Sequence, residues 1–257
     1  MQGDKKIPGL GQKLEDAVYK GYHVDSRGGW ARPKEEEVGG EDLDWMETQD
    51  IYFKFFAPRN RASVASVTPD LQCRRFLYSD IFDEEFIDER IGMNHVELYF
   101  KAAKMNGISE EQIMAAYDDP TPAIKIAIDA MSSICRRSWL EGISGTSANE
   151  AGVQSEGSSI RERFQREYPE FKEELAFRKL GGRRPGHVYF SKMHAGADDY
   201  HVGGAYQILE KHIKSDEDLR KVLLAQRDGA AAYRLRREAA LMGWSARQEI
   251  RRLGYED

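Results

Sequence analysis

Apolar and polar residues never alternate in this 257-residue chain for long enough to build a strand. Apolar positions recur instead at intervals of three and four, which is the helical period. Start and stop signals divide that pattern. From Asp42 an aromatic helix carries Trp45, Ile51, Phe53, Phe55 and Phe56, with Pro58 expected to bend or end it. Thr68-Pro69-Asp70 opens a helix through Phe76, Leu77, Ile81 and Phe82; the pattern loosens at Gly92-Met-Asn94 and resumes from His95 to Met105. Asn106-Gly107 stops it, and Ser109-Glu-Glu-Gln112 has the form of a capping box. After the turn at 118–122 a long helix is expected over 123–142. A stretch rich in Gly, Ser and Ala follows at 143–157, either a loop or a closely packed helix. Further helices are expected over 160–179, from Pro185 to about 213, and from the Ser215-Asp-Glu-Asp218 cap towards Leu253. The expected fold class is all-α: one helical domain over 42–257, preceded by an arm or loop over 1–41 in which 12–22 has the makings of a short helix.

Charge narrows the partners. The chain is 32% charged with a net charge of −6, and its basic runs, such as Arg234-Leu-Arg236-Arg237, are balanced by nearby acids. Nucleic acid and anionic membranes are therefore not expected partners. No apolar run approaches bilayer length, and no hydrophobic segment follows the basic start, so a cytoplasmic protein is expected. Cys73 and Cys135 lie in no metal-ligand spacing and are expected to be buried thiols.

One helix carries a more specific signal. In His194-Ala-Gly-Ala-Asp198-Asp-Tyr-His201, two imidazoles and a carboxylate sit at i, i+4 and i+7. At about 100° per residue they share an arc of about 60°. Nitrogen and oxygen donors converging from one face suit iron, manganese or zinc. A bundle site needs more donors from other helices. The segment from Asp80 to Glu85, followed by Asn94-His95, offers Glu84 and His95. They are eleven residues apart, nearly one face if the helix runs through Gly92. Glu150 is a lone acid in the uncharged stretch from 143 to 154, and Glu47 or Asp50 lies on the aromatic helix. Each alone reads as an ordinary surface acid or helix cap. Together they make the complement of a carboxylate-bridged dinuclear centre.

These same segments carry a resemblance. The runs 70–85, 94–103 and 106–111, then Arg137-Ser-Trp-Leu-Glu-Gly-Ile-Ser144, then Tyr189-Phe190 through His201, resemble the haem-oxygenase-like superfamily over roughly residues 44–215. The nearest branches are pyrroloquinoline-quinone synthase and the non-haem diiron oxidases related to it. The resemblance implies a bundle of about seven helices. It also implies two Fe(II) per chain, held by Asp50, Glu84, His95, Glu150, His194, Asp198 and His201. Glu85 is a one-residue alternative to Glu84, and Glu47 lies one turn from Asp50, where the family commonly has Glu. The quinone synthase branch works without metal and lacks this whole set, so the full set favours the diiron branch.

The chemistry implied is O2-dependent oxidation of a small substrate, with two ferrous ions supplying two electrons. Several relatives act on free amino acids in natural-product biosynthesis, by desaturation, ring closure, N-oxygenation or C–C cleavage, and relatives are commonly homodimers. A substrate carboxylate needs a cation, for which Arg137, Arg184, Arg234 and Lys192 are candidates. His187, seven residues before His194, is a further candidate contact, and Tyr52 and Tyr189 are the phenols nearest to ligand segments. The rivals are a metal-free oxidase, a non-redox metal hydrolase or a hydrolase of the thiamin-salvage branch, which needs a nucleophilic cysteine, and a binding protein on a helical bundle.

Overall fold

Short polar side chains set the helix starts. Asp70 accepts the Cys73 backbone N–H at 2.9 Å, and Asn94 accepts that of Glu97 at 2.7 Å. Ser109 and Gln112 form a reciprocal capping box, and Thr121 caps a helix whose first residue is Pro122. The computed structural model describes residues 7–24, 40–151 and 185–253. Nine helices are described: α1 Leu10–Val24, α2 Gly40–Val67, α3 Leu71–Glu85, α4 His95–Met105, α5 Glu110–Asp118, α6 Pro122–Cys135, α7 Trp139–Ala151, α8 Pro185–His212 and α9 Asp216–Arg252. Among the described residues there is no strand, only an isolated antiparallel bridge between Asp88 and Met93. No described helix is long and apolar enough to cross a membrane.

The long helix α9 packs along α1, α6 and α7, while α8 lies on α7 and α4 and α2 lies against α3, α5 and α6. The core runs between these layers. One cluster joins Val18, Phe53, Ile124, Ile128, Ala148 and Tyr233, and another joins Leu14, Val64, Leu77, Ile143, Leu209 and Val222. At the α7–α9 crossing the backbones nearly touch. A Cβ on Gly229 would lie 2.3 Å from the Gly145 carbonyl oxygen, so only glycine fits there.

Three sequence expectations are corrected. Residues 1–41 are not wholly an arm: Leu10, Leu14, Ala17 and Val18 form a buried stripe on α1, packed into the core. The segment 123–142 is two helices, because Ser138 starts α7 afresh, accepting the Glu141 N–H and donating to the Glu141 carboxylate. Together, α1 and this break raise the count above seven. Nor is the helix continuous through Gly92. Glycine there takes φ +74°, and the chain turns between α3 and α4. Pro58, by contrast, sits inside α2 without ending it, and the small-residue stretch is helical as far as Ala151. The helix expected over 160–179 lies outside the described residues.

Because Leu14 is fully buried against the main cluster, Leu14→Ala is expected to cost about 2–5 kcal/mol of unfolding free energy in a urea titration. An unchanged midpoint would show that α1 adds nothing to the core.

Candidate metal centre

The last two turns of α3, the first residue of α4 and the middle of α8 meet in the interior. Asp80 and Glu84, one helical turn apart, both point inward from α3 and are buried. Glu85 is exposed, so the structure turns Glu84 and not its neighbour towards the core. The turn after α3 delivers Asp88, which is fully buried, and the Asn94 cap then starts α4 at His95, also fully buried. His201 comes in from α8. The His95 and His201 rings lie 6.4 Å apart, centroid to centroid.

Both imidazoles are held in the same way. Nε2 of His95 is hydrogen-bonded to Asp88 at 3.1 Å, and Nε2 of His201 to Asp83 at 3.1 Å. Arg90 ties the two outer acids together, at 2.5 Å from Asp83 and 2.7 Å from Asp88. In both rings Nδ1 faces an inner acid: His95 lies 3.3 Å from Glu84 Oε2, and His201 lies 3.4 Å from Asp80 Oδ1. Yet neither acid oxygen has a hydrogen-bond partner among the described residues, although both are buried. The nitrogens are near them but out of line for hydrogen bonding.

Each pair has the spacing of two donors on one ion, and no third described donor joins either pair within 4.8 Å. An oxygen and a nitrogen bound at about 2.0–2.2 Å to one ion lie about 3.4 Å apart in tetrahedral geometry and about 3.0 Å apart in octahedral geometry, so the observed spacings match the tetrahedral edge and are slightly wide of the octahedral one. An imidazole whose second nitrogen is held by a carboxylate is the usual support for a metal-bound histidine. One feature opposes it. Arg61, buried on α2, donates from Nε to Asp80 Oδ2 and places Nη2 3.6 Å from Glu84 Oε1. It neutralises the inner acids through the oxygens that do not face the rings.

The charges follow from this packing. Burial raises the Glu84 pKa, but the neighbouring His95 and Arg61 charges pull it well below the ordinary carboxylate value. Burial opposes charge on His95, and Glu84 and Asp88 overcome it, so the His95 pKa rises. Asp88 is also penalised by burial, but hydrogen bonds from Arg90 and His95 bring its pKa down to about 2. A carboxylate depressed in the folded state stabilises above its unfolded pKa and loses that contribution as pH falls. Asp88 is therefore expected to contribute about 2 kcal/mol at neutral pH that disappears between about pH 4 and pH 2. Asp88→Asn should flatten the urea-derived stability profile over that window, and a slope identical to the wild type would refute the assignment.

Of the residues proposed from sequence, Glu84, His95 and His201 are brought together. Asp50 lies on α2, Glu150 on α7, and His187, Lys192, His194 and Asp198 on α8, the helix that supplies His201. The side chains of these six lie outside the described residues, as do that of Glu47 and residue Arg184. Arg137 is half-exposed and donates to Asp228 at 2.7 Å, so it holds the end of α6 to α9. Tyr52 packs on Phe56 at 4.6 Å, and Lys101 sits over the Tyr189 ring at 5.0 Å. Sequence reasoning did not single out Asp80, Asp88 or Arg61. Asp80 carried a legible signal, because it lies one helical turn before Glu84, whereas Asp88 lies beyond the end of α3 and had none.

Beside Asp80 and His201 lies a narrow, partly open cleft, lined by Phe76, Leu77, Ile143 and Ala205 and edged by the polar Thr146 and Ser147. Both cysteines are buried, and without a metal burial pushes each thiol up to about 12, so neither is a thiolate nucleophile in that state.

No family model and no curated protein matches this sequence. Solved structures do. A TenA homolog from Pseudomonas syringae pv. tomato strain DC3000 superposes with a TM-score of 0.60 at 14% identity, covering 94% of this chain and 96% of that one. A TenA homologue from P. horikoshii OT3 gives a TM-score of 0.53, also at 14% identity, over 90% and 93% of the two chains. At that identity the likeness speaks for architecture, and the chain has the all-α, haem-oxygenase-like fold.

Proposed function

We propose that this protein is a non-haem diiron oxidase or oxygenase that uses O2 to oxidise a small substrate, a free amino acid, by C–H abstraction leading to desaturation, ring closure or C–C cleavage. One observation carries the reading. Two buried imidazoles each turn Nδ1 towards an acid oxygen that lacks a hydrogen-bond partner, while an outer carboxylate holds Nε2. Glu84, His95 and His201 would hold metal here, with Asp80 beside them. The resemblance in sequence adds Asp50, Glu150, His194 and Asp198. When bound, ferrous ions supply electrons and Lewis acidity for O2.

The chain's own residues do the rest. Asp88 and Asp83 keep the Nε2 protons in place and fix the ring orientations. Arg90 holds those two acids at one spacing. Phe76, Leu77, Ile143 and Ala205 give the cleft an apolar lining, while the Thr146 and Ser147 hydroxyls donate to the Gly142 and Ser144 carbonyls and so present only lone pairs to a substrate. Lys192 remains the candidate counter-charge for a substrate carboxylate, since Arg137 is engaged with Asp228.

A metal-free oxidase is the second reading, and Arg61 favours it, because a guanidinium already balances Asp80 and Glu84. One experiment separates the two. The protein is loaded with Fe(II) without oxygen, desalted and analysed for iron, then screened with the common amino acids for O2 uptake. The diiron reading expects close to two irons per chain and uptake that a chelator abolishes. Uptake without retained iron would establish the second reading in its place.

A further inference from the structure

We propose that Asp70, Cys73 and His212 form a second metal site, separate from the buried centre, that takes a zinc-class divalent ion through one carboxylate oxygen, one thiolate and one imidazole nitrogen. The three donor atoms all lie within 4.8 Å of one another. Asp70 stands at the start of α3, Cys73 in its first turn, and His212 at the end of α8. The site thus joins the ends of two helices. At 1.5 Å per residue it lies roughly 20 Å along α3 from Glu84.

The two carboxylate oxygens of Asp70 have different duties. Oδ1 caps α3 by accepting the Cys73 N–H at 2.9 Å. Oδ2 faces His212 Nε2 at 3.4 Å. That nitrogen is buried and makes no hydrogen bond among the described residues, so the contact is not a hydrogen bond. Its length is instead the edge of a tetrahedron around an ion with bonds of about 2.0–2.2 Å. The His212 ring is held edge-on against Trp139, 5.0 Å between centroids, which fixes where Nε2 points.

Donor chemistry selects the ion. Carboxylate, thiolate and imidazole together suit zinc and disfavour magnesium or calcium, which want oxygen alone. Cys73 is buried, whereas the side chains of Asp70 and His212 are 24% and 19% exposed, so the fourth position opens to solvent. Binding is a proton exchange: the Cys73 S–H bond breaks, the Sγ–metal bond forms, and one proton leaves to water. Lys211 opposes the ion, with Nζ 3.6 Å from Asp70 Oδ2, but its half-exposed side chain is already held by a hydrogen bond to Gln72 at 3.0 Å and does not need Asp70.

The test uses the full chain, stripped of metal and titrated with Co(II). A sulfur-to-cobalt charge-transfer band is expected, and Zn(II) should bleach it by displacement. No cysteine is among the described residues around Glu84, His95 and His201, so the band reports Cys73 whether or not that cluster takes metal. Cys73→Ser should abolish the band and Cys135→Ser should leave it intact. Asp70→Asn retains the cap oxygen, and it and His212→Gln should each weaken binding by more than the roughly 10- to 100-fold that loss of an outer partner costs. No band in the wild-type protein, or a band that survives Cys73→Ser, overturns the site. If Cys73→Ser does not fold, unchanged cobalt affinity in both Asp70→Asn and His212→Gln overturns it.

Discussion

His201→Ala is expected to lose ferrous iron and all substrate-triggered O2 uptake while its helical circular dichroism stays that of the wild type. The imidazole stands between two acids, with Asp80 3.4 Å from Nδ1 and Asp83 3.1 Å from Nε2. Alanine removes the nitrogen that faces the inner acid. The outer acid remains paired, because Arg90 contacts Asp83 at 2.5 Å, so the fold keeps its local charge balance. A companion variant sharpens the expectation. Asp83→Asn leaves the ring in place but weakens its support, and metal affinity should fall by about 10- to 100-fold without vanishing. A graded series of wild type, Asp83→Asn and His201→Ala is the signature of a supported ligand. Equal iron content in all three would reduce His201 to a packing residue.

How far this was legible depends on whether an interaction is local. Helix starts are local, and Asp70, Asn94, Ser109 and Thr121 cap the helices whose starts their sequences announce. Glu84 and His95 were paired by counting eleven residues along one helix, but the chain actually turns at Gly92. The pair survives because the Asn94 cap restarts the helix with His95 facing back. The acidic run 80–89 looks like a solvated face when read by composition. Read by period, Asp80 and Glu84 share a face of α3 and are buried, Asp88 is brought to the same place by the turn beyond the helix, and Glu85 and Glu89 are exposed. Arg61 had no such signal. It reaches Asp80 across nineteen residues and from another helix, and no sequence period links them. The α1 stripe was obscured for a different reason. Leu10, Leu14, Ala17 and Val18 do recur at the helical period, but the unpatterned residues around them hid the stripe, and its burial depends on packing against α9, which no local pattern shows.

Arg61→Ala is expected to destabilise the metal-free protein by about 3–5 kcal/mol, because it removes the guanidinium shared by two buried carboxylates and leaves Asp80 without its direct partner. At roughly 2–4 °C per kcal/mol for a chain of this size, the melting temperature should fall by about 10 °C. The two readings of the site diverge in what iron then does. If Asp80 and Glu84 hold metal, a bound ion replaces the missing charge, and Fe(II) should restore much of the lost stability through its binding to the folded state alone. It should also bind the variant more tightly than the wild type, since no guanidinium competes for the acids. If the protein works without metal, the deficit persists at every iron concentration. The measurement is a pair of anaerobic thermal melts, with and without Fe(II), on wild type and variant. An iron-dependent upward shift larger in Arg61→Ala than in wild type supports the diiron reading, and equal or absent shifts remove it. The same residue thus stabilises the empty site and competes with its occupant, so its removal should lower stability and raise metal affinity together.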